Sequence, residues 1–309
     1  MKHISIKGYG YALGDQLITK KQLEAVVDTT DEWISSRSGI KSRSLSTIYN
    51  TSDLATMAGK LAIEDSGIDP KLIDCIIVAT MTPDHLTPAT APLVQYKLGL
   101  NDNQCIAFDI NAACTGFIYA LQVASSMIES NQVTNALVVG AETFSKIMDY
   151  TDRTTCVLFG DGAGAVVLSK STNSPEITFY TRSKGDVKKL LFAKGLDLRD
   201  GLSNKKQEVG YLSMNGPEVF RFATFAMQDA IKNVCALANV LVKEIDFIIP
   251  HQANLRIIQH ASKRLNIDPT IFFTNLQQVG NTSAASIPIA LAQAYQQNQL
   301  NKKKNSTKT

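Results

Sequence analysis

Three residues of this 309-residue chain are of a type and in a setting to do chemistry together: Cys114, His251 and Asn281. Cys114 follows a strand-like run, Ile106-Ala107-Phe108-Asp109-Ile110, and a turn, Asn111-Ala112-Ala113; an amphipathic helix then opens at Thr115-Gly116-Phe117. A thiol there meets unpaired N–H groups and the positive end of the helix dipole, which favour thiolate over thiol. A nucleophile made without a metal is the chemistry expected. A lone cysteine is by default a small hydrophobe, and place and company set Cys114 apart. His251 closes the run Ile245-Asp246-Phe247-Ile248-Ile249-Pro250, and Asn281 lies in Gly280-Asn281-Thr282-Ser283 at the head of another apolar helix. A carboxamide cannot act as a proton-transfer base near neutral pH, so a chemical task for Asn281 is oxyanion binding. The structural alternatives are a satisfied core histidine for His251 and a helix cap for Asn281.

The elements that carry these residues repeat. A helix-patterned stretch over 54–66 leads to the strand Ile73-Asp74-Cys75-Ile76-Ile77-Val78-Ala79-Thr80, and one over 219–237 leads to Ile245-Asp246-Phe247-Ile248-Ile249. Each strand is followed by a helix (89–98 and 255–265), a strand ending in F-D-I or F-F-T-N-L, a small-residue turn and a further helix. Strands alternating with helices predict a duplicated α/β architecture with mostly parallel strands. Ligands in such folds gather at the carboxyl ends of strands, so Cys114, His251 and Asn281 are expected to share one site. The halves are read as 1–172 and 173–297, with 298–309 a polar, basic, disordered tail.

Composition narrows the class. A net charge of +3 is too small to imply nucleic acid, and 44% hydrophobic content supports a large core. The cysteines at 75, 105, 114, 156 and 235 form no CxxC pair and no zinc-ligand spacing, so no metal and no disulfide framework are expected. A reducing, cytoplasmic setting fits. The start reads as a strand rather than a leader, and no apolar run approaches the roughly 20 residues that cross a bilayer.

F-D-I-N-A-A-C-T-G-F-x-Y-A-L, P-H-Q-A-N-L-R-I-I and G-N-T-S-A-A-S-I-P together resemble the motif set of β-ketoacyl-acyl carrier protein synthase III, in the thiolase superfamily. V-D-T-T-D-E-W-I-S-S-R-S-G-I and D-R-T-T-C-V-L-F-G-D-G-A-G-A support it. The resemblance implies a layered αβαβα fold that dimerises, and a Cys-His-Asn triad at Cys114, His251 and Asn281. It also implies fatty acid initiation: an acyl-CoA primer loads the cysteine, then condenses with malonyl-acyl carrier protein as CO₂ is lost. Coenzyme A thioesters are then substrates, and no cofactor is required. Synthase III-like enzymes of secondary metabolism share the same triad.

The resemblance assigns coenzyme A contacts to Thr29, Trp33, Arg37, Arg153, Gly216 and Asn254, with Trp33 and Arg153 sandwiching the adenine. It assigns carrier-protein contacts to Gln252, Ala253, Asn254, Leu255, Arg256, Lys263 and Arg264, the last three forming a basic face for an acidic partner. Thr87 stands where many members place a bulky aromatic at the acyl-pocket floor, and its small side chain implies room for primers longer than acetyl.

In the first half, 136–140 and 164–168 read as two more strands after the Cys114 helix; the second half shows no counterpart before its basic end. The resemblance places two strands and a glycine-rich turn there, the turn giving a second oxyanion N–H. The expectation is an incomplete second half, shortened by a shifted frame or early stop, with an open sheet edge and weakened turnover. The alternative function is then an impaired thiolase-fold protein that binds acyl-CoA or a partner.

Overall fold

Two wholly buried runs, Cys75–Ala79 and Asn135–Glu142, set the architecture, because strands covered on both faces must lie at the centre of a sheet. The computed structural model describes residues 4–300 except 173, 175, 187, 200, 203–205, 207 and 209, the side chains of Asp31 and Trp33 also excepted. The first elements are β1 (Ile4–Leu13), β2 (Gln16–Thr19), α1 (Lys20–Glu24), α2 (Asp31–Ser38), β3 (Ser42–Leu45), α3 (Thr51–Ser66), β4 (Cys75–Ala79), α4 (Thr90–Lys97), β5 (Ile106–Ile110) and α5 (Gly116–Glu129). There follow β6 (Asn135–Glu142), β7 (Gly162–Lys170), β8 (Leu191–Ala193), β9 (Leu212–Met214), α6 (Gly216–Leu237), α7 (Leu255–Leu265), α8 (Leu276–Val279) and α9 (Ser286–Gln296).

Among the described residues the main sheet has five strands in the order β1-β7-β6-β4-β5. It is mixed rather than mostly parallel: β4 runs parallel to β5 and β6, whereas β7 is antiparallel to both β6 and β1. On one face Leu54, Ala58 and Ala62 of α3 pack with Ile76, Val78, Leu137 and Val139. On the other, Phe117, Ala120 and Ala124 of α5 pack with Ile77, Val138 and Val166. α9 joins this second face, where glycines make room for it. A Cβ on Gly164 would lie 2.4 Å from the Ile289 amide nitrogen, and the Tyr9 and Tyr295 rings stack 4.2 Å apart.

The second half departs from the expected repeat. Residues 245–251 do not form a strand; a single parallel bridge, Ile248↔Phe272, joins them to the following segment through Ile248 N–H to Ile271 O and Phe273 N–H to Ile248 O. Among the described residues no neighbour extends this pair into a ladder, and a strand-forming pattern without partners makes one bridge only. α6 consequently packs chiefly on α7 and leaves Phe225 64% exposed. Leu300, within the expected tail, packs with Phe273, Ala290 and Ala294. Residues 301–309 lie outside the described residues.

Candidate active site

Cys114 stands in a 3-10 turn, Ala113–Thr115, ahead of α5; in the second half Ser283–Ala285 forms the same turn ahead of α9. The residues before Cys114 and Ala284, Ala113 (φ 47°) and Ser283 (φ 48°), both adopt the left-handed conformation. Two non-glycine residues share this uncommon backbone at matching places in a repeat, so a single strained turn has been used twice. Asn111 and Asn281 occupy equivalent positions three residues before Cys114 and Ala284.

The two turns meet over the ends of β4 and β6. A Cβ on Gly116 would lie 3.1 Å from Ala79 Cβ and 3.6 Å from Ala284 Cβ, while one on Gly140 would lie 2.2 Å from the Ala284 carbonyl oxygen. Gly140→Ala therefore displaces the Asn281 turn, and destabilisation of about 1–3 kcal/mol is expected by denaturant unfolding. Gly216→Ala, whose Cβ would meet only Met214 Cε at 3.8 Å, is the control that leaves stability near wild type.

Asn281 is held by its backbone and by one side of its amide. Its N–H donates to Leu158 O (2.9 Å), its carbonyl accepts from Gly160 N–H (3.0 Å), and Oδ1 accepts from Ser283 N–H (2.9 Å). With Oδ1 so engaged, the amide Nδ2, a double donor, is left for a ligand. His251 is positioned through its neighbour. Gln252 donates its N–H to Ser286 Oγ (2.7 Å) and its side-chain amide to Pro250 O and Phe273 O (2.8 and 3.0 Å). Gln252 Oε1 accepts from Asn275 N–H and Leu276 N–H (3.0 and 3.3 Å). The loop of His251 is thereby tied to the first residue of the helix that follows Asn281.

Burial decides the protonation states. It pushes the His251 imidazole down to about 4, and among the described residues Nδ1 has no hydrogen-bond partner, so the ring is neutral at physiological pH and carries one N–H. The sign for stability follows. Between about 4 and the ordinary value of 6.5 the unfolded chain binds the extra proton, so this contribution is complete above 6.5 and is lost as pH falls toward 4. His251→Gln is expected to flatten the pH dependence of unfolding free energy across that window.

For Cys114 the structure corrects the expectation of a thiolate favoured by a helix end. Burial raises the thiol's pKa and outweighs the opposing effects of the Ser283 hydroxyl and of the cysteine's own backbone N–H. α5 begins only at Gly116, so the sulfur lies before the helix while being closely enclosed. At rest Cys114 is a neutral thiol.

The surrounding candidates fall into two groups. Arg37 lies in the last turn of α2, and its carbonyl accepts from Asn254 Nδ2 (2.9 Å), while Asn254 Oδ1 caps α7 through Arg256 N–H (2.9 Å). The Asn254 side chain thus joins two elements as a cap rather than presenting an open amide. Arg256 lies over the Phe220 ring of α6 at 5.3 Å, and Gly216 starts that helix, which puts these residues along one rim. Arg153 donates to Asp28 O (3.0 Å), beside Thr29, whose hydroxyl is buried. Lys263 and Arg264 are exposed in the last turn of α7. Ala253 is partly covered, and Leu255 packs with Ile40 and Ile258. The Trp33 side chain lies outside the described residues.

One assignment needs correction. Gln252 is 1% exposed with both ends of its amide bonded internally, so it cannot touch a carrier protein; it braces His251. Thr87 is exposed on the loop between β4 and α4. The residue overlooked in the sequence is Glu142, a buried carboxylate at the end of β6; its signal was an acid closing the apolar run Leu137-Val138-Val139-Gly140-Ala141. Among the described residues there is no cluster of three potential metal ligands and no helix long and apolar enough to cross a membrane.

Residues 108–185 match the sequence model of 3-oxoacyl-[acyl-carrier-protein] synthase III, and 235–307 match that of its C-terminal region. The chain is 46% identical to the β-ketoacyl-[acyl-carrier-protein] synthase III of Clostridium perfringens over 304 residues, 98% of this chain and 93% of that one. With the same-named protein of Clostridium acetobutylicum it shares 46% over 94% of this chain and 89% of the relative. The crystal structure of 3-oxoacyl-[acyl-carrier-protein] synthase III from Aquifex aeolicus superposes with a TM-score of 0.88 at 42% identity, covering 96% of this chain and 92% of that chain. The chain belongs to the 3-oxoacyl-[acyl-carrier-protein] synthase III family, with a mixed α/β, thiolase-like fold. These alignments run almost to its last residue and give no support to the expected incompleteness of the carboxyl end.

Proposed function

We propose that this chain starts fatty acid synthesis: Cys114 takes an acyl group from acyl-CoA and condenses it with malonyl-acyl carrier protein. The observation that carries the reading is the Asn281 amide, whose Oδ1 is pinned by Ser283 N–H while Nδ2 is left as a donor in the turn that packs against Cys114. In the first step Cys114 Sγ attacks the thioester carbonyl, and the thiol proton leaves with the coenzyme A sulfur. In the second, malonyl thioester loses CO₂, and the enolate oxygen accepts hydrogen bonds from the neutral His251 N–H and Asn281 Nδ2–H. The enolate carbon then attacks the acyl-cysteine carbonyl, and the sulfur, freed as the new C–C bond forms, is reprotonated. The neutral His251 ring keeps one N–H, and that N–H is the donor this step uses.

Thr29, Trp33, Arg37, Arg153, Gly216 and Asn254 are read as the coenzyme A rim, and the exposed Arg256, Lys263 and Arg264 as the face for an acidic carrier protein. A homodimer is supported by β5, one of the two edge strands of the main sheet, where Ile106 is 47% exposed, and by Leu86, 82% exposed on the loop after β4. The unpaired cysteines suit a cytoplasmic enzyme acting on soluble thioesters.

The test is product analysis by mass spectrometry with acetyl-CoA, or longer acyl-CoAs, and malonyl-acyl carrier protein. A 3-oxoacyl-acyl carrier protein formed with release of CO₂ and coenzyme A is expected. Acyl-CoA consumption that yields a free acid, an ester or no condensed product overturns the reading.

A further inference from the structure

Arg43, the second residue of β3, is 1% exposed, yet among the described residues its Nε, Nη1 and Nη2 have no hydrogen-bond partner. A guanidinium offers five N–H donors in a fixed plane, and here none of them meets an acceptor. The backbone fixes where this side chain goes. β3 pairs with β2 so that Arg43 stands opposite Ile18, and opposed residues send their side chains to the same face. On that face Ile18 packs with Leu23, Ile34, Cys156 and Val157. The stem is hemmed in on its other flank, since its Cβ would lie 3.2 Å from a Cβ on Gly160 and 3.1 Å from one on Gly280. The acid that the backbone brings to β3 is Asp161, whose N–H donates to Ser44 O (2.8 Å). Its carboxylate is engaged elsewhere: Oδ1 accepts from Ser145 N–H (3.0 Å), and Oδ2 from Ser46 N–H (2.8 Å) and Ser145 Oγ (2.6 Å).

An enclosed charge is strongly destabilising unless it is paired, so folded proteins give such groups a counter-charge. Burial brings Arg43 down only to about 10, and the group is a cation at physiological pH. Burial also pushes the Cys156 thiol up to about 11 and the Tyr150 hydroxyl up to about 12, so neither neutralises it. We propose that Arg43 binds a small inorganic anion of the chloride class as an internal counter-ion, held between β3 and the segment that carries Cys156. The walls select the ion. Beyond the guanidinium they are apolar side chains and glycines, with the Tyr150 hydroxyl, buried and without a partner on the same cluster, as the further donor. A phosphate or sulfate would bring four oxygens to too few donors, whereas a monovalent halide needs no more than these. The site lies behind the Asn281 turn, because Gly280 precedes Asn281 and Gly160 N–H donates to Asn281 O (3.0 Å). An ion bound there only in the folded state adds to the stability of that state.

The first test is urea unfolding of wild type and Arg43→Met as chloride replaces gluconate at constant ionic strength. Methionine keeps an unbranched stem and removes the charge, and exchanging an enclosed ion for an apolar side chain is commonly neutral or stabilising. In wild type the unfolding equilibrium constant is expected to fall saturably, by about tenfold once chloride reaches ten times its dissociation constant. Arg43→Met is expected to show only the general effect of exchanging the salts, without saturation. Equal dependence in the two proteins, or none in wild type, overturns the proposal. A second measurement leaves Arg43 in place and stands even where the variant does not fold. Wild-type crystals soaked in sodium bromide are expected to give a bromine anomalous peak beside the Arg43 guanidinium. A water or a protein group there instead overturns the proposal. Bromide there without the chloride effect on wild-type stability is binding at crystal concentration only, and overturns it as well.

Discussion

Cys114→Ala is expected to form no acyl-enzyme with any acyl-CoA and to lose condensation by about 10³-fold or more, with its folded structure retained. The first half of this result follows from chemistry, since without Sγ there is no atom to carry the acyl group between the two substrates. The second follows from the repeat in the fold. The matching turn of the second half places Ala284 where the first places Cys114, with the same left-handed residue before it, so this backbone already accommodates alanine. Removing a largely buried sulfur leaves only a small void, and thermal unfolding is expected to remain cooperative. Intact-protein mass after exposure to acyl-CoA, beside a melting curve, checks both parts. Acylation of the variant at another residue would remove Cys114 from the mechanism.

The second large effect separates the two half-reactions. Asn281→Asp preserves an oxygen for Ser283 N–H but replaces the donor Nδ2–H₂ by a charged acceptor facing the developing enolate. Condensation is expected to fall by about 10²–10³-fold, the usual cost of losing one oxyanion donor. Acylation of Cys114, in which the Asn281 amide has no role, should continue and the acyl-enzyme should accumulate. Equal losses in both steps would mean that Asn281 acts through the structure of its turn.

The contrast between these residues and the rest of the site shows what a sequence can and cannot carry. The Cys114 and Asn281 turns were legible because their pattern is local: a strand, a few small residues and an amphipathic helix within about a dozen positions, written twice. The protonation of Cys114 was not, because the helix end was visible in the sequence and the burial that outweighs it was not. Gln252 looked like a surface amide within P-H-Q-A-N, yet its partners at 273, 275, 276 and 286 close around it from distant segments. Glu142 is similar, with donors about sixty positions earlier in the chain. The run 245–251 had strand-like alternation, but strands need neighbours, and a single bridge to Phe272 is what the described residues provide. Local signals therefore located the candidate site, and only the packing between halves revealed which groups brace it and in which charge state they rest.

The central claim is that one thiol carries the acyl group into a decarboxylative condensation. It is tested most directly by intact-protein and peptide mass spectrometry in two stages, acyl-CoA alone and then malonyl-acyl carrier protein. The account predicts an acyl adduct mapped to Cys114 in the first stage, discharged in the second as 3-oxoacyl-acyl carrier protein appears. An adduct on another residue, or one that persists undischarged, would contradict it.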